Sequence, residues 1–281
     1  MIAGVFVFAI MDALMKGLSA HYAPLQVSFL RSVSSLVCML PAVLWRGSWA
    51  RLRVTGLRWH LLRGGLGVTM LASFVYGVHR LTLAQTYSLY LTAPLLMTAL
   101  SVPIFHERVS ARRWLAIFTG LCGVIVILQP WNQGAYALIP AAAVVLATLC
   151  YSLSALTVRA LSRQNSSMAL VFWYLLIVAI GSGAMAAPDW VPLQTQDWWW
   201  LAAIGITGTL GQLWLTEAFR HAPPSVVGPF EYTAILWAFG IDRLFWSTSP
   251  SLSLVAGAVV VIGSGIFIIE DERRLAVDTP P

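Results

Sequence analysis

Residues 79–100, HRLTLAQTYSLYLTAPLLMTAL, run parallel to residues 219–240, FRHAPPSVVGPFEYTAILWAFG, and residues 58–62, RWHLL, run parallel to residues 197–201, DWWWL. Self-similarity over that separation marks an internal repeat. The repeat divides the chain into residues 1–134 and 135–281. What it is a repeat of follows from composition: 59% of the 281 residues are hydrophobic and only 10% are charged, against about a quarter charged in soluble domains. Apolar runs of about 20 residues, enough to cross about 30 Å of hydrocarbon, recur along the whole length. The expected fold is therefore an all-α membrane protein.

Windows bounded by Gly, Pro and charge clusters place ten spans at 2–19, 25–45, 60–79, 82–105, 110–129, 136–158, 166–187, 198–219, 223–246 and 250–269. Five spans per half is an odd number, so the second copy enters the membrane upside down. Inverted repeats are a recurrent architecture of secondary transporters, because two mirrored half-gates around one midplane site supply alternating access. The first span resembles a signal peptide only in position, since it has no basic start and no small-residue cleavage site.

Arginine sets the orientation. With a cytoplasmic amino terminus, the inner loops hold Arg46, Arg51, Arg53, Arg58, Arg108, Arg112, Arg113, Arg159, Arg163 and Arg220, and the tail holds Arg273 and Arg274. The outer connections keep chiefly Arg80 and Arg243, and the loop from Asp189 to Asp197 is acidic. Both termini are then cytoplasmic. Trp190 and Trp198 to Trp200 suit the outer interface, and Trp45, Trp49, Trp59 and Trp114 the inner one. The net charge of +6 lies in these short loops, which argues against nucleic acid as a partner. Cys38, Cys122 and Cys150 lie in apolar runs without metal-ligand spacing, so no disulfide, metal or other cofactor is expected.

Residues 90–128, YLTAPLLMTALSVPIFHERVSARRWLAIFTGLCGVIVIL, and residues 230–269, FEYTAILWAFGIDRLFWSTSPSLSLVAGAVVVIGSGIFII, carry a family resemblance. Each resembles the end of an EamA unit, and the first has its sequence of features: a proline in the fourth helix, a Glu-Arg pair and a Gly-rich fifth helix. The chain is similar to the EamA branch of the drug/metabolite transporter superfamily over nearly its whole length. Where the second copy usually carries Gly-Glu, this chain has Ser247 and Thr248, so Glu107 has no counterpart there. The resemblance implies ten helices in two inverted units and export of small metabolites. Amino acids, including aromatic ones, are a prominent substrate class of the branch it most resembles. Nucleosides or vitamins are the alternative substrates, and a channel or a non-transporting scaffold is the alternative class. The implied setting is a bacterial inner membrane, with the lipid bilayer and a small-molecule substrate as partners and a monomer as the expected state.

Ionisable residues inside apolar runs are the candidate site, because a charge near the bilayer centre costs at least about 2.5 to 3.5 kcal/mol on insertion scales. Asp12 and Lys16 are spaced i, i+4 with the acid first. Asp12 lies about 12 Å below the outer end of the first span and Arg31 about 9 Å along the second, so their depths match. Asp12 is expected to be neutralised by Lys16, Arg31 or both, as a structural tether or as an ionic gate facing substrate. On the inner side are Glu217 and, about 12 Å up the ninth span, Glu231, followed by Tyr232. Glu231 has no cation at i+3 or i+4, so it finds an interhelical partner, stays protonated or faces water. Tyr76, Tyr87, Tyr90, Tyr151, Trp173, Trp214, Tyr232 and Trp237 put polar-tipped rings in mid-membrane, either as packing with one hydrogen bond or as cavity lining. Trp214 lies one turn from Glu217, and His79 could sense protons or touch substrate or simply be solvated. Pro94 and Pro103 in the fourth span, and Pro224 and Pro229 in the ninth, are expected to kink their helices and free carbonyls. Gly205, Gly208 and Gly211 permit close helix packing. No GxxxxGK[ST], HExxH or GxSxG is present, so neither nucleotide hydrolysis nor these enzyme chemistries are encoded.

Overall fold

The computed structural model describes residues 1–45, 52, 54–105, 110–128, 135–161, 164–221 and 230–278. Glu107, Pro224 and Pro229 lie outside the described residues. Eleven α-helices are described: α1 (Ile2–Leu18), α2 (Pro24–Trp45), α3 (Leu57–Arg80), α4 (Leu83–Tyr90), α5 (Ala93–Phe105), α6 (Ala111–Leu128), α7 (Ala135–Leu161), α8 (Ser167–Ala186), α9 (Trp198–His221), α10 (Ala234–Trp246) and α11 (Leu252–Asp278). No strand occurs among the described residues. Four helical stretches there are long and apolar enough to cross a membrane: Leu57–Arg80, Leu83–Ile104, Leu138–Val158 and Ser167–Asp189.

Large apolar side chains face outward as well as filling the core, and several charged and polar ones lie inside. Leu115, Phe118, Ile180, Leu236 and Val259 are more than half exposed, while Asp12, Arg31, Arg63, Thr86, Ser88 and Asp242 are buried. An apolar exterior with the charged groups drawn inside is what a bilayer selects, because lipid offers polar groups no partner.

The fourth span is two helices rather than one. α4 ends at Tyr90 and α5 starts at Ala93, with Leu91 and Thr92 in a turn between them. Pro94 explains the break: it has no N–H, so the Tyr90 carbonyl loses its helical donor. Pro94 itself sits in the first turn of α5, where a missing donor costs nothing, and only Pro103 lies deeper in that helix. A corresponding turn at Tyr232 and Thr233 precedes α10. There is no proline within it; instead Thr233 donates both its N–H and its hydroxyl to the Phe230 carbonyl, at 3.2 and 2.6 Å.

The two halves of the sequence interlock. α1 packs on α9, α2 on α8 and α9, α3 on α7 and α8, α10 on α4, and α11 on α6. The glycines of α9 set part of this packing. A Cβ at Gly205 would meet the Ser34 carbonyl oxygen at 2.7 Å, and one at Gly208 the Ser35 hydroxyl at 2.5 Å. α2 and α9 can approach that closely only because both positions lack a side chain. At the end where α1 and α8 finish, Tyr22 donates to Asp197 (2.5 Å) and accepts from the Gln194 amide (3.1 Å), while Gln26 exchanges two hydrogen bonds with Val191. At the opposite end Arg113 pairs with Asp271 at 2.8 Å, joining α6 to α11.

Candidate functional site

Lys16 reaches past Asp12 altogether. Its Nζ donates to the Leu81 carbonyl at 2.8 Å, lies 3.8 Å from Asp242 Oδ1 and sits 4.8 Å from the Trp246 ring centroid. Asp242, on α10, in turn accepts from the backbone amides of Leu83 (3.2 Å) and Ala84 (2.8 Å). These are the first two amides of α4, which have no partner within a helix, and a carboxylate is the charge that a helix N-terminus favours. Thr82 and Gln85 complete the cap, each side chain accepting the other's backbone N–H at 3.0 Å. Lys16 and Asp242 thus form a latch joining α1, the α3–α4 corner and α10.

Asp12 lies about 9 Å below the latch-side end of α1. It accepts a short hydrogen bond from the Tyr87 hydroxyl on α4. No ion pair within 4.0 Å joins it to Lys16 or Arg31: its direct partner is a phenol, so the expected pairing with Lys16 is corrected, while Arg31 acts on it through its field alone. The reason is direction. Lys16 stands one turn nearer the helix end, and its long side chain extends to the polar cap of α4. Arg31 is nonetheless within electrostatic reach of both Asp12 and Tyr174. It is 3% exposed, and its Nε and Nη1 have no hydrogen-bond partner among the described residues.

Deeper, the Tyr151 hydroxyl of α7 donates to Glu231 at 3.2 Å. The Tyr90 and Tyr151 rings lie 5.0 Å apart, and Phe74 stands edge-on to Tyr90 at 5.5 Å and to Tyr87 at 6.4 Å. Asp12, Tyr87, Tyr90, Tyr151 and Glu231 therefore form one file that starts in one half of the sequence and ends in the other. Glu231 has found its interhelical partner. Each end of the file is an acid paired with a phenol, with the roles reversed: acid on α1 and phenol on α4, then phenol on α7 and acid just before α10.

The remaining expected residues stand elsewhere. Tyr76 lies under the Arg80 guanidinium at 6.0 Å, and the exposed His79 meets the Ser19 hydroxyl at 3.2 Å beside the latch. Tyr232 is buried, its hydroxyl without a partner among the described residues. Glu217 pairs with His221 (3.2 Å) and Arg220 (4.0 Å) on its own helix, at a half-exposed position. Trp214 is 43% exposed, so neither it nor Glu217 joins the file. Sequence reasoning missed Arg63, Tyr174 and Asp242. Arg63 donates to the Leu170 carbonyl at 2.7 Å and lies 4.7 Å from the Tyr174 ring centroid. Among the described residues no group of His, Cys, Asp or Glu is arranged to hold a metal ion.

The chain is similar to transporters over nearly its whole length. The pseudopaline exporter of Pseudomonas aeruginosa is 27% identical over 258 residues, 92% of this chain and 90% of its own. The riboflavin transporter of Vibrio cholerae is 27% identical, covering 91% and 88%, and an S-adenosylmethionine uptake transporter of Rickettsia prowazekii is 24% identical, covering 95% and 90%. A solved crystal structure, 17% identical, superposes with a TM-score of 0.67 over 97% of this chain and 98% of its own, which shows the fold. These relatives are transporters and not enzymes. The model of the EamA-like transporter family matches residues 1–129 and again 138–270, and the chain belongs to that family.

Proposed function

We propose that this chain is a secondary transporter of the bacterial inner membrane, with both termini cytoplasmic, that exports a small zwitterionic metabolite by alternating access. Amino acids, aromatic ones included, are the first candidates. The observation that carries this reading is the file Asp12, Tyr87, Tyr90, Tyr151 and Glu231, buried at Asp12 and Tyr87 and partly accessible at Tyr90, Tyr151 and Glu231, with buried Arg31 beside it. Two carboxylates and three phenols suit an ammonium group, which carboxylates attract directly and aromatic faces through their quadrupole. The edge-on Phe74, Tyr87 and Tyr90 rings suit an apolar or aromatic body. Because the file draws on helices of both halves, a rocking motion of one half against the other would expose it to either side in turn. The Lys16–Asp242 latch closes its outer end in this reading, and the break before α5 supplies a place to bend.

The riboflavin and S-adenosylmethionine relatives support a second reading, a larger heterocyclic substrate. A flat neutral ligand such as riboflavin would leave the idle donors of Arg31 unmatched in the interior, so the zwitterion is preferred. Thermal unfolding of the detergent-solubilised protein against amino acids, nucleosides and vitamins tests the class. A substrate at a hundredfold excess over its Kd stabilises by about 2.7 kcal/mol. Stabilisation by one or more amino acids is expected, and stabilisation confined to nucleosides or vitamins would overturn the assignment.

A further inference from the structure

Arg31 is built differently from the other buried cations. Arg63 leaves only Nε unpaired and directs the rest of its guanidinium to the Leu170 carbonyl and the Tyr174 ring, and Lys16 serves the Leu81 carbonyl and Asp242. Arg31 is as buried as Arg63, yet Nε and Nη1, two of its three nitrogens, find no acceptor among the described residues. A guanidinium held in the interior with idle donors is strongly unfavourable, and buried polar groups in folded proteins are nearly always satisfied. Its natural protein partner is at the same depth but is engaged: Asp12 accepts from Tyr87 and stays more than 4.0 Å from any cation among the described residues. The side chain sits at the edge of the acid–phenol file, within electrostatic reach of Asp12 and Tyr174. The unmet demand is therefore for an anion supplied from outside the chain, at the place where substrate would lie.

We infer that Arg31 is the recognition group for a substrate carboxylate. This rests on the reading of the file as the transport site and narrows its substrates to molecules carrying a carboxylate. A guanidinium matches a planar carboxylate or a phosphate. The surrounding charges choose between them. Asp12 and Glu231 stand in the same file, so a phosphate ester bearing close to two negative charges would be repelled. A single carboxylate joined to an ammonium adds no net charge to the site, with Arg31 facing the acid end of the ligand and the file's own acids facing its amine. Arg31 then separates carboxylate substrates from their esters and amides, as a buried charged donor discriminates against a ligand that lacks its acceptor.

The test compares each L-amino acid with its carboxamide on the purified full chain, by thermal shift and by competition for exchange in proteoliposomes. For the parent, the amide is expected to bind at least about tenfold more weakly than the acid. Arg31→Gln should bring the acid down to the level of the amide and leave the amide unchanged, and Arg31→Lys should fall between. Acids and amides that act equally on the parent would overturn the inference, and this arm needs no variant to fold. So would an Arg31→Gln protein in which acid and amide weaken by the same factor. If no amino acid binds, the amino-acid reading fails by itself, and monocarboxylates and inorganic phosphate then decide. A monocarboxylate that stabilises the parent but not Arg31→Gln upholds the anchor, whereas a response to phosphate alone, or to neither, overturns it.

Discussion

Lys16→Met lowers substrate exchange by about tenfold or more while the protein still inserts and folds, if the latch holds the outer end of the site closed. The expectation comes from how its contacts divide. Asp242 does two jobs, capping the amides of Leu83 and Ala84 and facing Lys16. Lys16→Met leaves the first intact, so α4 keeps its N-terminus and the fold is spared. It removes the cation that binds α1 to the α3 carbonyl end at Leu81 and to α10. Asp242→Ala is more severe, because it strands two buried amides and a largely buried ammonium; breaking a buried pair in this way costs about 3–5 kcal/mol. The conservative Asp242→Asn keeps an acceptor. Combined with Lys16→Met it should cost no more than the worse single change, since partners in one contact are not additive. Additive losses measured in the same exchange assay would remove the latch. A single cysteine at exposed Ser251, beside Asp242 in a cleft lined also by Thr82 and Gln85, reads the orientation. An impermeant maleimide should label it from outside intact cells, and labelling only from the cytoplasmic face would invert the topology.

Tyr87→Phe and Asp12→Asn are each expected to impair transport severely, and together to cost clearly less than the sum. The hydrogen bond between them is buried, and one partner is a carboxylate, the kind of contact worth about 1.5–3 kcal/mol. Tyr87→Phe keeps the ring against Phe74 and removes only the hydroxyl, so its effect isolates the bond from the packing. A coupling of about 1–2 kcal/mol in the double-mutant cycle is expected, measured as thermal stability and as exchange rate. Asp12→Asn with Arg31→Gln should couple more weakly, because no ion pair within 4.0 Å joins that pair. A larger coupling for Asp12 with Arg31 than with Tyr87 would place the carboxylate on the wrong partner.

What could be read from the sequence was the kind of residue that matters and its depth. Asp12 in an apolar run announced a buried acid in need of a partner, and Glu231 did the same. Their partners were not legible, because i, i+4 spacing fixes only which side chains share a helix face. Lys16 shares that face but extends toward the helix end, whereas Tyr87 comes from another helix 75 residues away. Arg63 and Asp242 carried the same signal as Asp12, an ionisable group inside an apolar stretch, and the rule that singled out Asp12 applies to both. Tyr174 carried no signal beyond a ring with a polar tip. The break in the fourth span was legible in Pro94, since the missing N–H falls opposite the Tyr90 carbonyl. Its position between two separate helices was not, because residues 83–104 carry no charge and read as one hydrophobic stretch. Glu217 and Trp214 looked like site residues because they share one helix turn, but that turn faces outward, and Glu217 is satisfied by its own helix.

Counterflow in proteoliposomes tests most directly whether this chain is a carrier with one site served by two gates. Vesicles containing the parent protein are loaded with an excess of unlabelled amino acid that stabilises it in the thermal screen, then diluted into a trace of the labelled compound. A carrier returns from one side occupied more quickly than empty, so labelled substrate should transiently accumulate above its outside concentration and then decline as the internal pool runs down. The accumulation should saturate with outside concentration and be lost in Lys16→Met and Asp12→Asn. Labelled substrate that only equilibrates, at a rate rising linearly with concentration and indifferent to what the vesicles contain, would contradict alternating access and mark the chain as a channel.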